Sequence, residues 1–241
     1  MKTNLSLIVA IALLASAAPA QPQAMAQPKP DAAQADAEPE IIVTGFSKPF
    51  KLTGKQLVRA QQAFVAKRSE FAPDSQLYFR VASQDGSSIE GLDLYLKNGD
   101  EIIDLPLDSQ SRFIVPALSN KDWTLYANRG RKALSVTPSI LSPGTSDLNR
   151  RLGDLRLQCN VYWAMLSPET SIFARALFSS AGGCKSGKFG YYVNTERAIA
   201  SGSVSNGGTS IPIRLWGDHR YAAPIGEKRM PNDARVVLQP A

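Results

Sequence analysis

Apolar residues recur at every second position between residues 155 and 165. Leu155, Leu157, Cys159, Val161, Trp163 and Met165 alternate with Arg156, Gln158, Asn160, Tyr162 and Ala164. Period two is the pattern of a strand with one buried face, so a strand is predicted here. The other clear periodicity is helical. Thr53 with Gln56 three residues later forms a capping box, and Leu57, Ala60 and Phe64 follow at helical spacing, with Val58 and Val65 widening the stripe. Pro73 closes this helix, predicted over residues 53–70.

From residue 77 short alternating runs take over: 77–81, 92–96, 102–107, 112–115, 123–127 and 133–137. Turn pairs such as Asp85-Gly86, Asn98-Gly99 and Arg129-Gly130 separate them. Asn98-Gly99 is the strongest hairpin signal. Residues 138–147 hold two prolines, a glycine and four hydroxyl residues, the best internal boundary. Beyond it, Ser167-Pro168-Glu169 reads as a helix start, with Ser167 as cap. Ile172, Phe173, Ala176 and Leu177 fit a short helix, while Ile172, Ala174 and Ala176 also fit a strand. Runs at 191–194, 198–203, 210–215 and 235–238 read as strands, with a turn at Asn206-Gly207. The expected fold is mainly β: one or two antiparallel sandwich- or barrel-like modules, residues 52–140 and 150–241, with an N-terminal amphipathic helix. The spacing of strands over 76–138 resembles transthyretin-like and carboxypeptidase-regulatory-like sandwich modules.

The N-terminus changes the chemical setting. Lys2, an apolar run over 5–18, and the small-x-small sites Ala18-Pro19-Ala20 and Ala24-Met25-Ala26 are laid out like a secretory signal peptide, cleaved after residue 20 or 26. The run is shorter than the ~20 residues of a spanning helix. In an oxidising compartment the two cysteines, Cys159 and Cys184, are expected to pair. Residues 27–51 read as a flexible leader carrying Glu40-Ile41-Ile42-Val43-Thr44-Gly45. This hexapeptide resembles the TonB box of TonB-dependent outer-membrane transporters. The resemblance implies that these residues add a strand to a TonB-like periplasmic partner; read from the residues alone, Ile41 to Val43 are instead the first strand of the chain's own sheet. The rest of the chain is too short for such a transporter's barrel. As a whole the chain resembles uncharacterised exported proteins of Gram-negative bacteria.

The net charge of +6 is concentrated between residues 121 and 188, where ten Lys/Arg face four acids. For an exported chain that favours an acidic glycan, a lipid headgroup or an acidic protein over nucleic acid. Arg129, Arg131 and Lys132 are the candidate anion-binding residues, with Trp216 and Tyr221 as neighbouring aromatics. Residues 182–189 come one position short of a phosphate loop, with Phe189 where Ser or Thr should hold magnesium. His219 is the single histidine, and no nucleophile elbow accompanies it. No metal cluster, cofactor motif or catalytic residue is assigned. The expectation is a non-enzymatic binding or interaction module of the envelope, periplasmic or secreted. The alternative is a hydrolase of envelope polymers using His219 or a carboxylate pair.

Overall fold

The computed structural model describes residues 48–186 and 190–241. The leader and the TonB-box-like residues 40–45 lie outside that range. The described residues belong to one unit, Val43–Ala241.

The elements run in order β1 (Pro49–Thr53), α1 (Gly54–Phe71), β2 (Gln76–Ser83), β3 (Leu94–Asn98), β4 (Glu101–Asp104), β5 (Arg112–Phe113), β6 (Thr124–Gly130) and β7 (Leu134–Leu141). They continue as β8 (Asn149–Arg151), α2 (Leu152–Leu166), α3 (Ile172–Ser180), β9 (Tyr191–Asn194), β10 (Ile199–Asn206), β11 (Thr209–Pro212), β12 (Arg220–Ala223) and β13 (Arg235–Pro240). Strand outweighs helix, as the turn spacing predicts. The sheets, all antiparallel, have the orders β1-β6-β3-β4, β5-β2-β7, β11-β10-β13-β8 and β12-β9.

α1 begins where the capping box places it: the Thr53 N–H donates to Gln56 Oε1 at 3.2 Å. Its inner face buries Leu57, Val58 and Ala60, but Val65 is 75% exposed and lies outside the stripe. The Asn98-Gly99 turn joins β3 to β4, with Gly99 at φ +58°, a left-handed conformation that glycine adopts without strain.

The alternating segment is not a strand. Residues 152–166 form α2, and the period-two pattern has a helical origin. Leu157, Val161 and Met165, four apart, enter a core built with Leu57, Phe79, Leu96, Leu125 and Ile140. Leu155 and Cys159, also four apart, enter a second core with Val204, Tyr221, Met230 and Val236, and Trp163 packs against its edge. Two residues of α-helix turn through about 200°, so rows offset by two lie on opposite faces. A helix buried on both faces therefore alternates along its sequence. Local propensity agrees with the structure: Val161 is the one β-branched residue between 152 and 166.

Two further expectations are corrected. β7 continues through Pro138 to Leu141, with Ile140 fully buried, so the proposed boundary starts inside a strand. Pro138 is tolerated because β7 is an edge strand, paired to β2 alone. Ser167 does not cap a helix. Residues 167–169 make one 3-10 turn, and the cap of α3 is Ser171, whose Oγ accepts from the Ala174 N–H at 3.2 Å.

The disulfide forms as expected, but between a helix and a turn. Cys159 on α2 bonds to Cys184 in the 3-10 turn at 183–185, with the Cα atoms 5.9 Å apart. Among the described residues no helix is long and apolar enough to cross a membrane.

α2 can start where it does because residue 153 has no side chain. A Cβ there would lie 2.1 Å from the Phe71 carbonyl oxygen at the end of α1. Gly153→Ala is expected to lower stability by about 3 kcal/mol or more, since backbone has to move. Gly208→Ala, at a site with nothing within 4 Å of the added carbon, should change it by no more than about 0.5 kcal/mol. Urea denaturation of the two variants checks the contrast.

Candidate functional site: an arginine-lined cavity

The polar face of the β5-β2-β7 sheet positions the site. On β2, Phe79 and Val81 are buried in the core, and Arg80 and Ala82 point the other way. On β7, Ser135, Thr137 and Ser139 share that outer face. β8 adds Arg150, α2 adds Gln158 and Tyr162, β9 adds Tyr191, Tyr192 and Asn194, and β12 adds Arg220. Together they surround a cavity of about 370 Å³, partly open to solvent. The lining contains three arginines and no Asp or Glu.

Arg150 is the organising side chain. It is 2% exposed, yet no carboxylate lies within 4 Å of it among the described residues. Its Nη2 donates to the Ile140 carbonyl and to Gln158 Oε1, both at 2.8 Å, and its Nε has no acceptor. Gln158 relays the contact. Its Oε1 also accepts from the Ile140 N–H at 3.2 Å, and its Nε2 donates to the Tyr191 hydroxyl at 3.0 Å. A buried guanidinium held by neutral oxygens alone keeps its charge available to a ligand, at a cost in desolvation.

The other two arginines differ. Arg80 pairs through Nη2 with Asp147, leaving Arg80 Nε and Asp147 Oδ1 without partners, and Glu196 lies 4.0 Å away. Arg220 donates from Nε to Asn194 Oδ1 at 2.8 Å and has no acidic partner among the described residues. Tyr221 lies behind the cluster, fully buried, with its hydroxyl unpartnered. Burial pushes that phenol up to about 12, against the favourable charges of Arg150 and Arg80. Burial likewise raises Tyr191 and Tyr162. Four of the five unpartnered buried side-chain atoms among the described residues belong to this cluster.

The nearby Asp154 is fully buried but turned away from the cavity lining. Its carboxylate accepts from the Ser142 N–H at 2.9 Å and the Ser142 hydroxyl at 2.6 Å, tying α2 to the end of β7. Burial raises its pKa, and Ser142 and Arg150 oppose that rise.

At the mouth, Tyr192 is 44% exposed and meets Trp216 edge-on, with centroids 5.6 Å apart. Arg214 lies over the other ring, 5.4 Å from the Trp216 centroid. Gly217, at φ +71°, makes the turn that presents Trp216.

The residues singled out by sequence fall elsewhere. Arg129 lies near the end of β6 and Arg131 and Lys132 in the β6–β7 connection, and none lines the cavity. Arg129 is occupied with the Asn128 and Glu90 carbonyls. Tyr221 is a core residue and not part of an aromatic surface. Trp216 is exposed, but its neighbour is Tyr192. His219 is exposed, its ring contact being the Thr195 carbonyl at 3.3 Å, and no acid hydrogen-bonds to it among the described residues. Those residues contain no cluster of three metal-binding side chains.

No family model, curated protein or solved structure matches the chain.

Tyr221→Phe tests the cluster's electrostatics. Removing a hydroxyl that makes no hydrogen bond should leave stability at pH 7 unchanged or raise it by about 1 kcal/mol. The unfolded chain loses the phenolic proton near pH 10 and the folded chain near 12, so Tyr221 erodes stability as pH rises through that window. Urea denaturation from pH 9 upwards should show less alkaline loss in the variant than in the parent.

Proposed function

We propose that the protein is a non-enzymatic binding module for an acidic sugar residue, displayed in an oxidising compartment outside the cytoplasm. The observation that carries this reading is Arg150, a buried guanidinium without a carboxylate partner in a cavity lined by two more arginines and no acid. Arginine's planar fork suits a carboxylate, which it grips with two parallel hydrogen bonds. Ser135, Thr137, Ser139 and Asn194 supply neutral donors and acceptors for ring hydroxyls. Tyr192 and Trp216 offer aromatic faces at the mouth. The volume lies within the range of small-molecule sites.

The compartment is supported by the Cys159–Cys184 disulfide and by the signal-like N-terminus. In that setting residues 40–45 dock on a TonB-like partner, and the cavity binds a glycan of the envelope or its surroundings.

Calorimetry with a hexuronate oligosaccharide and a neutral hexose oligosaccharide of equal length tests the reading. The acidic ligand should bind in a salt-sensitive manner and the neutral one at least about tenfold more weakly. Arg220→Gln, at an exposed position, should weaken the acidic ligand about tenfold, and Arg150→Gln more. Where Arg150→Gln fails to fold, Arg220→Gln and Tyr192→Ala carry the test. Equal affinity for both sugars, or no binding of either, overturns the proposal.

A further inference from the structure

We infer that α3 seats the protein on a lipid bilayer bearing anionic headgroups, with Ile172, Phe173 and Leu177 entering the interfacial layer. The inference is independent of the cavity and of its ligand.

α3 has no buried residue. Ile172 is 77% exposed, Phe173 78% and Leu177 52%, the largest such concentration on one element. At about 100° per residue, Ile172, Ala176, Phe173 and Leu177 span an arc of roughly 140°. Ala174 and Phe178 lie on the opposite side and are the half-buried positions. Phe178 stacks on Trp163 of α2 at 3.9 Å. The apolar arc therefore points away from the body of the protein.

The helix is also held in place. The stack fixes its C-terminal half, and the turn that follows it is bonded through Cys184 to Cys159. A free nine-residue helix would be marginal in water. Here the fold meets the cost of ordering it, and the apolar arc is presented ready-made.

Charge identifies the occupant. The sequence has no acid between Glu169 and Glu196. Arg175 is exposed on α3, and Lys185, 73% exposed, flanks it while reaching Glu70 at 3.6 Å. Glu169, at the near end, is paired with Arg59 at 3.2 Å. A short apolar arc flanked by cations matches an anionic interface, where apolar burial and attraction to headgroups add. A second copy of the chain is a poorer fit, because three side chains cannot furnish the roughly 800 Å² per partner of a stable dimer.

Sedimentation of the full chain with phosphatidylcholine vesicles, with and without phosphatidylglycerol, tests this. The parent should bind the anionic vesicles, and high salt should release it. Phe173→Glu with Leu177→Glu should lower the partition coefficient at least about tenfold. Arg175→Gln and Lys185→Gln should each lower it about fivefold. The apolar run at 5–18 is common to all these chains, so a second measurement localises the contact. Phe173→Trp with vesicles brominated in their acyl chains should show quenching beyond that of the parent. Unchanged partition in the double glutamate variant, no added quenching, or concentration-dependent dimerisation lost in that variant instead, each overturns the inference.

Discussion

Leu157, Val161 and Met165 leave α2 on one side, and Leu155, Cys159 and Trp163 leave it on the other. Both apolar cores of the described residues depend on that helix. The first core takes in side chains of β1, α1, β2, β3, β6 and β7, and the second those of β9, β10, β12 and β13. A helix used on two faces has no solvent side for its polar residues, so these become internal fasteners. Arg156 donates to the carbonyls of Ile225, Glu227 and Met230 and to Asn232 Oδ1, closing the 225–232 loop onto α2. Gln158 joins β7, Arg150 and Tyr191. Disturbing α2 therefore disturbs the packing and the cavity together.

Much of the architecture was legible from local signals. The capping box of α1, the Asn98-Gly99 and Asn206-Gly207 turns and most strands are where short-range chemistry puts them. The cysteine pairing follows from there being two cysteines and from the oxidising compartment that the N-terminal pattern leads one to expect. What local periodicity misread was the element that works non-locally. Alternation implies one wet face, and nothing within residues 155–165 says that both faces are dry. The scarcity of β-branched residues there was the available counter-signal. Pro138 misled for a similar reason: its cost depends on whether the strand is an edge, which sequence does not show.

The candidate site was harder to read. Arg80, Arg150 and Arg220 are 70 residues apart in each step, and no spacing rule connects them. A charge count points instead to Arg129, Arg131 and Lys132, which are close in sequence and lie at the end of β6 and in the turn after it. The charge at the cavity is set apart by burial, which clustering along the chain does not measure. The alternation on β2 and β7 held the one usable hint, because it places Arg80 with Ala82, and Ser135 with Thr137 and Ser139, on the faces turned from the core.

Folding alone gives no reason to bury Arg150 with no carboxylate in contact. Desolvating a guanidinium is costly, and an apolar residue of similar volume would serve the core as well or better. Four of the five unpartnered buried side-chain atoms among the described residues lie together. Arg150 Nε, Arg80 Nε, Asp147 Oδ1 and the Tyr221 hydroxyl lie in one neighbourhood, beside an open cavity free of acid in its lining. Unsatisfied polarity concentrated at a single concave place is what a protein shows when it trades stability for recognition. Asp154 sharpens the contrast. It is as deeply buried and only a few residues away, yet both its oxygens are matched by Ser142. The fold satisfies the carboxylate that serves structure, and leaves the guanidinium beside the cavity with donors to spare.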